Sequence, residues 1–268
     1  MSAVPEALSA GEWQYLTGPL RLTSAARAGR HTMTFAAFTD LDRCRNALDQ
    51  LGPVIGSSSR RVTASLLSKR LAFLATGACL YALSACDRGI DVSPDNCLID
   101  LAHDGNRWTS HLPLHVIDAK NWPTSRREAA REHIVATLFA GLIAPLWDTL
   151  HQASGVPMRM LWENTAVRVY SLYERRLAEL TAAAAVARRD DDWRFLHAAP
   201  SALFGWSANP IARFHSRPLP MGDTDPVRFR RTCCLYYQAT SPPKYCRTCP
   251  LLKLAPARRP VAKQRDAV

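Results

Sequence analysis

The sequence predicts a mainly helical α+β protein: a helical body carrying a β-hairpin, followed by an irregular, cysteine-bearing C-terminal segment. Three observations predict it. Long apolar stretches with capping residues at their starts occupy much of residues 35–198. Short strand-like runs flank His103-Asp104-Gly105-Asn106, where Asp-Gly favours a hairpin turn. From Asn209 onward Pro and Gly become frequent and helical periodicity fades.

Taken in order, residues 1–30 carry few periodic apolar positions and read as a loose lead-in. A helix is predicted from Phe35 to Leu51, stopped by Gly52 and Pro53. Ser57, Ser58 and Ser59 offer N-caps for a long apolar helix ending near Cys86, where Asp87-Arg88-Gly89 breaks it. Cys97–Ala102 and Arg107–Leu114 are the two strands of the hairpin. A further helix starts at Thr124 or Ser125, with Glu128 at capping-box spacing from Ser125, kinks near Pro145 and stops by Gly155. Another runs from about Pro157 to Ala187, with Trp162, Val169, Leu172, Leu177 and Leu180 on its apolar face. Arg188–Asp192 reads as a charged break before a short helix at Trp193–His197. The resulting division is a body over 1–222, a cysteine segment over 223–255 and a basic disordered tail over 256–268.

The 268 residues are 47 % hydrophobic and 21 % charged, which argues against wholesale disorder. The formal net charge is +11, and only five of the 34 basic residues are Lys. Such a balance favours an anionic partner. Residues 1–20 hold Glu6 and Glu12 and no apolar signal region, so a cytoplasmic location is expected. The longest uncharged run, Leu71–Cys86, has 16 residues, shorter than the about 20 that a span needs, so no transmembrane segment is expected and membrane contact is at most peripheral. Helix-turn-helix and finger spacings are absent, as are a phosphate-binding glycine loop and a Gly-x-Ser-x-Gly elbow. Nucleic acid is therefore not an expected partner, and no nucleotide or flavin site is built in.

Eight Cys in a cytoplasmic chain suggest thiols or metal ligands rather than disulfides. Cys233, Cys234, Cys246 and Cys249 fall within one short stretch. A Cys-x-x-Cys turn lets Cys246 and Cys249 face one metal, and Ser241-Pro242-Pro243 turns the chain so that Cys233 and Cys234 can complete a four-thiolate site. Four thiolates suit tetrahedral Zn or an iron–sulfur cluster. Adjacent cysteines diverge in extended backbone, which favours two irons sharing ligands. A Zn site and metal-free redox thiols stay open on spacing alone.

The Cys-Cys…Cys-x-x-Cys pattern, led by Arg231-Thr232 and followed by Pro250-Leu251, resembles the C-terminal segment of the FhuF-like siderophore-iron reductases. Leu161-Trp162-Glu163-Asn164 resembles a helix of the same family, less distinctively. The resemblance implies a [2Fe–2S] cluster held by Cys233, Cys234, Cys246 and Cys249, and one-electron reduction of a cytosolic ferric siderophore. A hydroxamate type is expected, because such ligands hold hard Fe(III) far better than Fe(II). Residues 235–245 make a loop one residue longer than the family pattern, a change that loop-closure entropy tolerates. Lacking a flavin motif, the chain would take electrons from a ferredoxin-like or other acidic donor. The rival readings are a Zn-stapled binding module with a basic C-terminus and a [2Fe–2S] redox sensor without turnover.

Ten basic residues face three Asp between 223 and 266, and Arg230, Arg231 and Arg247 are expected to line the cluster and raise its potential. Cys44, Cys79, Cys86 and Cys97 read as small core residues. His103, His111 and His115 read as hairpin polar residues, and Trp162 and Asn164 as helix packing with a local hydrogen bond.

Overall fold

A computed structural model describes residues 4–221 and 224–253; the proposed tail at 256–268 lies outside the described residues. The architecture is mainly helical with short strands, and the C-terminal region is irregular.

The lead-in forms regular structure. Ser9 and Glu12 build a capping box on α1 (Ala10–Thr17). Two three-residue strands follow, β1 (Leu22–Ser24) and β2 (Thr32–Thr34). Their periodicity is weak because they are short and held by distant partners. The helix predicted over 35–51 is two helices, α2 (Phe35–Thr39) and α3 (Leu41–Val54), with Asp40 ending one and capping the next through Arg43 N–H. Gly52 and Pro53 lie inside the last turn of α3 rather than stopping it.

Ser59 caps α4 (Arg60–Ser84) as expected, its side chain accepting from Val62 N–H. Between Val62 and Ser84 only Lys69, Phe73 and Tyr81 escape burial. An all-round apolar helix must be the centre of its fold, and α4 is.

The next strands are β3 (Gly89–Ile90), β4 (Leu98–Asp100), β5 (Leu112–Leu114) and β6 (Ala119–Lys120). The expected hairpin is only partly formed. Its turn exists, with Gly105 at φ +92° and a bridge between His103 and Trp108. Its arms separate, however: β4 pairs antiparallel with β2, and β5 pairs parallel with β1. The N-terminal strands compete for the same backbone groups and leave the arms only the Cys97–Leu114 bridge and the contacts around the turn, among them the His103–Trp108 bridge.

Pro123 precedes a 3₁₀ turn at Thr124–Arg126, and the Ser125–Glu128 capping box does not form. α5 (Arg127–Ala136) runs into a π-helical stretch, Thr137–Ile143, and then α6 (Ala144–Ser154). The widened stretch, in which Ala144 N–H reaches Phe139 O, lies just ahead of Pro145, whose missing N–H favours the irregularity there. Gly155, at φ +67°, ends α6.

α7 (Met158–Ser171) widens into a π stretch at Leu172–Arg176, and the chain breaks at residues 180–182. α8 (Ala183–Ala198) passes straight through the charged run expected to be a break. Asp192, fully buried in that run, accepts from Arg127, Arg131 and Ser84, so its charge is matched inside the core. α9 (Pro210–Phe214), β7 (Leu219–Met221), β8 (Thr224–Val227) and α10 (Pro250–Lys253) complete the described elements.

α4 packs chiefly on α7, with α3 and α6 alongside. Trp147, Trp162, Phe38, Phe139 and Phe204 fill the shared core. Two helical stretches, Arg60–Ser84 and Thr124–Ser154, are long and apolar enough to cross a membrane, but 83 % and 61 % of their apolar windows are buried inside the protein.

Candidate metal centre

Cys233, Cys234, Cys246 and Cys249 come together in a small cluster separate from the main core. Cys233 Sγ lies 3.9 Å from Cys249 Sγ, and Cys234 Sγ lies 3.8 Å from Cys246 Sγ. Leu235, at φ +63°, turns the chain immediately after the vicinal pair, and its N–H donates to Cys233 Sγ at 3.4 Å. Each adjacent cysteine thus meets a different member of the Cys-x-x-Cys turn, which is closed by Cys249 N–H on Cys246 O. Among the described residues, no three His, Cys, Asp or Glu side chains are arranged around one ion position. The sulfurs contact one another as Cys233–Cys249, Cys249–Cys246 and Cys246–Cys234, a continuous set of four thiols suited to a four-thiolate metal group.

Tyr236, Tyr245 and Leu252 pack around the sulfurs, and Cys233 is the least buried of the four. Two of these thiols are weakened as acids. Burial pushes Cys233 up. The contact with Cys246 together with burial pushes Cys234 up to about 12, opposed by Lys69. Cys249 is lowered by its hydrogen bond with Cys246. Loading a metal group here therefore has to release protons.

What holds this segment on the body is a buried polar joint on α4 and α7. Glu163, 1 % exposed, accepts from the backbone N–H of Arg231 at 2.6 Å and of Thr232 at 2.7 Å, and from the Thr232 hydroxyl. Arg230 Nε lies 3.8 Å from the same carboxylate, and Arg230 Nη2 donates to Asn164 Oδ1 at 2.6 Å. Asn164 Nδ2 in turn donates to Ser65 O and Ser68 Oγ, while Ser65 Oγ donates to Cys234 O at 2.9 Å. Lys69 Nζ approaches Cys234 Sγ at 3.7 Å. At the α3–α4 turn, Gly56 sits at φ +72° so close to the Tyr236–Ala239 turn that a Cβ there would lie 2.8 Å from Ala239 O.

Sequence reasoning missed Glu163, Ser65, Ser68 and Lys69. The available signal was that Glu163-Asn164 interrupts an apolar helix with two adjacent polar residues. Asn164 makes long-range bonds rather than a local one, whereas Trp162 is core packing stacked on Trp206.

Of the basic flank, Arg230 acts on Cys234 in the expected direction. Arg230 is 5 % exposed and part of the joint. Arg228 is paired with Glu174 at 2.7 Å and donates to Ser216 O. Arg258, Arg259, Lys263 and Arg265 lie outside the described residues. Lys69, from the body, approaches the Cys234 sulfur, and Arg230 also bears on it.

The remaining cysteines are buried in the main core. Burial pushes Cys44 up to about 11 and Cys79 up to about 12, and raises Cys86 and Cys97 further. The three histidines stay with the hairpin region. His103 Nδ1 accepts Gly105 N–H, His111 Nδ1 lies 3.9 Å from Asp100, and His115 N–H donates to Asn96 O.

No curated protein matches the chain. The C-terminal family described as the FhuF 2Fe-2S C-terminal domain matches residues 230–251, a stretch holding all four clustered cysteines, and so supports a [2Fe–2S] cluster. The family described as ferric iron reductase FhuF-like transporter matches residues 65–218, more than half of the sequence, from Ser65 in the joint to just past α9. The chain belongs to the FhuF-like ferric iron reductase family.

Proposed function

We propose that this chain is a cytoplasmic iron–sulfur oxidoreductase that reduces ferric siderophores, with Cys233, Cys234, Cys246 and Cys249 holding the [2Fe–2S] group. Residues 1–222 are the substrate-binding body and 223–255 the cluster segment. When bound, the group supplies one electron to chelated Fe(III), which leaves as Fe(II). Hydroxamate oxygens hold hard Fe(III) strongly and Fe(II) weakly, so reduction is also release.

The chain's own residues do the rest. Glu163 and Asn164 fix the backbone that carries Cys233 and Cys234. Tyr236, Tyr245 and Leu252 exclude water from the sulfurs. Cys233, half-buried, marks the side open to an acceptor. A ferredoxin-like or other acidic protein returns the electron, since no nucleotide or flavin motif is present in the sequence.

The observation that carries this reading is the gathering of the four sulfurs, with contacts at 3.8 and 3.9 Å, on a joint that links both family-matched regions. The test is anaerobic single turnover. Reduced protein mixed with an iron-loaded hydroxamate siderophore should reoxidise quickly and deliver one Fe(II) per cluster to a chelator trap. Metal-free siderophore should do neither, and NADPH alone should support no further turnover. Equally slow reoxidation with and without ferric siderophore would leave a redox sensor in its place.

A further inference from the structure

Residues 226–252 hold five basic residues, Arg228, Arg230, Arg231, Lys244 and Arg247, and no Asp or Glu. Two of the five are matched by the body, Arg228 by Glu174 and Arg230 by Glu163. Arg231 and Lys244 are exposed, and neither side chain meets a carboxylate among the described residues. The hydrogen bonds they donate come from the backbone, Arg231 N–H to Glu163 and Lys244 N–H to Thr240 Oγ1.

An apolar side chain stands with these two cations. Leu251 is 37 % exposed, one of the few large apolar residues that the described surface leaves in solvent. Each of the three lies two positions from a cysteine: Arg231 from Cys233, Lys244 from Cys246 and Leu251 from Cys249. Two residues of chain span at most about 7 Å. Because the four cysteines gather in one small cluster, the three exposed side chains start from backbone close around the sulfurs. The loop that carries Lys244 is closed by the Tyr237–Tyr245 stack at 5.3 Å as well as by the bond to Thr240. Cys233 is the half-buried ligand at this edge, while Cys234, Cys246 and Cys249 are buried.

We propose that Arg231, Lys244 and Leu251 form the docking rim for an acidic electron-carrier protein, which delivers its electron at the Cys233 edge. The inference rests on the reductase reading for its redox role and adds the surface that meets the donor. One electron leaves the reduced carrier, which is oxidised, and reduces the group held by the four cysteines; no bond or proton changes hands. A [2Fe–2S] group stores one electron at a time, so donor and ferric chelate can use the same edge in turn. A protein fits the rim better than a chelate does. The exposed side chains come from three separate stretches and combine an apolar contact with two cations, the makeup of a protein interface steered by charge. Such a contact is small and weak, as a carrier that must leave again requires.

The test uses the cluster-loaded holoprotein, so the negative charge of the bound group is present, and an acidic plant-type ferredoxin as probe. With both proteins oxidised no electron moves, and calorimetry reads binding alone. Affinity should fall as salt rises. Arg231→Gln combined with Lys244→Gln should weaken binding by about tenfold at low salt and flatten the salt dependence. Leu251→Ser should weaken it at low and high salt alike, and Arg194→Gln, which removes an exposed charge on α8, should leave it intact. In stopped flow, reduction by reduced ferredoxin should slow in the same variants. Photoreduced deazariboflavin, small and uncharged, should reduce all of them at the wild-type rate. Lys244→Gln alone lies outside the Glu163 joint and keeps the test decisive if the double variant loses its cluster. Wild-type ferredoxin affinity in these variants overturns the proposal, as does equal slowing with ferredoxin and deazariboflavin. Slowing confined to reoxidation by ferric siderophore assigns the rim to the substrate and also overturns it. If ferredoxin binds and reduces the protein as expected but no ferric siderophore reoxidises it, the reductase reading fails and the docking rim stands.

Discussion

The Glu163 carboxylate accepts both the backbone N–H and the hydroxyl of Thr232, one residue ahead of the vicinal cysteines. A buried carboxylate on the body thereby sets the position of the metal-binding backbone, and Arg230 supplies the compensating charge beside it. Removing one partner of such a pair leaves the other buried and unmatched, which typically costs about 3–5 kcal/mol. Glu163→Ala is expected to loosen the cluster segment while α4 and α7 stay folded. Iron and sulfide content should fall, and limited proteolysis should cut between the body and Cys233 at a protease dose that spares the wild type. Normal cluster content with wild-type resistance would mean the joint does not position the segment.

Arg230→Gln should resemble Glu163→Ala in cluster loss, because Arg230 belongs to the joint. Arg247→Gln, on the exposed side of the Cys-x-x-Cys turn, should retain the cluster. The comparison separates an arginine buried in the joint from one exposed on the turn, and iron analysis of the two purified variants decides it.

Ligation is tested by single Cys→Ser changes. Cys233→Ser, Cys234→Ser, Cys246→Ser and Cys249→Ser should each lose most of the iron and sulfide. Cys44→Ser and Cys97→Ser should keep both, since those thiols are enclosed in the main core away from the paired sulfurs. Retention of normal iron and sulfide by two of the first four would contradict the assignment.

Lys69 gives a prediction about potential. Its ammonium approaches Cys234 Sγ at 3.7 Å, and reduction adds negative charge to the site. Removing that cation in Lys69→Gln should disfavour the reduced form and lower the reduction potential, by an amount on the order of tens of millivolts at a partly solvated position. Lys69→Arg should recover most of the shift. Voltammetry or a dye-linked titration reads both, and a potential that is unchanged or raised in Lys69→Gln would show that the charge is screened from the cluster.

The cysteine pattern was legible because ligand spacing is local: Cys246 and Cys249 lie on one turn, and Cys233 and Cys234 are neighbours. The start of α4 at Ser59 and the stop of α6 at Gly155 were legible for the same reason. Glu163, Ser65 and Lys69 were not, because they act on residues 68 to 169 positions away, and only the polar break at Glu163-Asn164 in an apolar helix marks any of them locally. β1 and β2 stayed hidden because three-residue strands show no period, and their partners, β5 and β4, were assigned to each other. α8 was misread at Arg188–Asp192 because a charge run looks solvated until Arg127 and Arg131 are seen to meet Asp192.

The core thiols give the final prediction. Burial pushes Cys44 up to about 11 and Cys79 up to about 12, whereas an unfolded chain holds both near the ordinary thiol value of about 8.5. A group whose pKa is raised by folding contributes its stability below the unfolded value and loses it as pH climbs through the folded one. These thiols therefore cost nothing at neutral pH and favour unfolding progressively between about pH 8.5 and 12, with a contribution of roughly 1–2 kcal/mol each by pH 10. The melting temperature should fall over that range, and Cys79→Ala, whatever its own stability at pH 7, should show a shallower fall because it removes one of the titrating groups. The same burial keeps the thiolate scarce in the native state, so iodoacetamide at pH 8 should leave Cys44, Cys79, Cys86 and Cys97 unmodified until denaturant is added. Equal alkaline slopes in Cys79→Ala and wild type, together with fast alkylation of the native protein, would mean that α4 opens readily enough to expose its core.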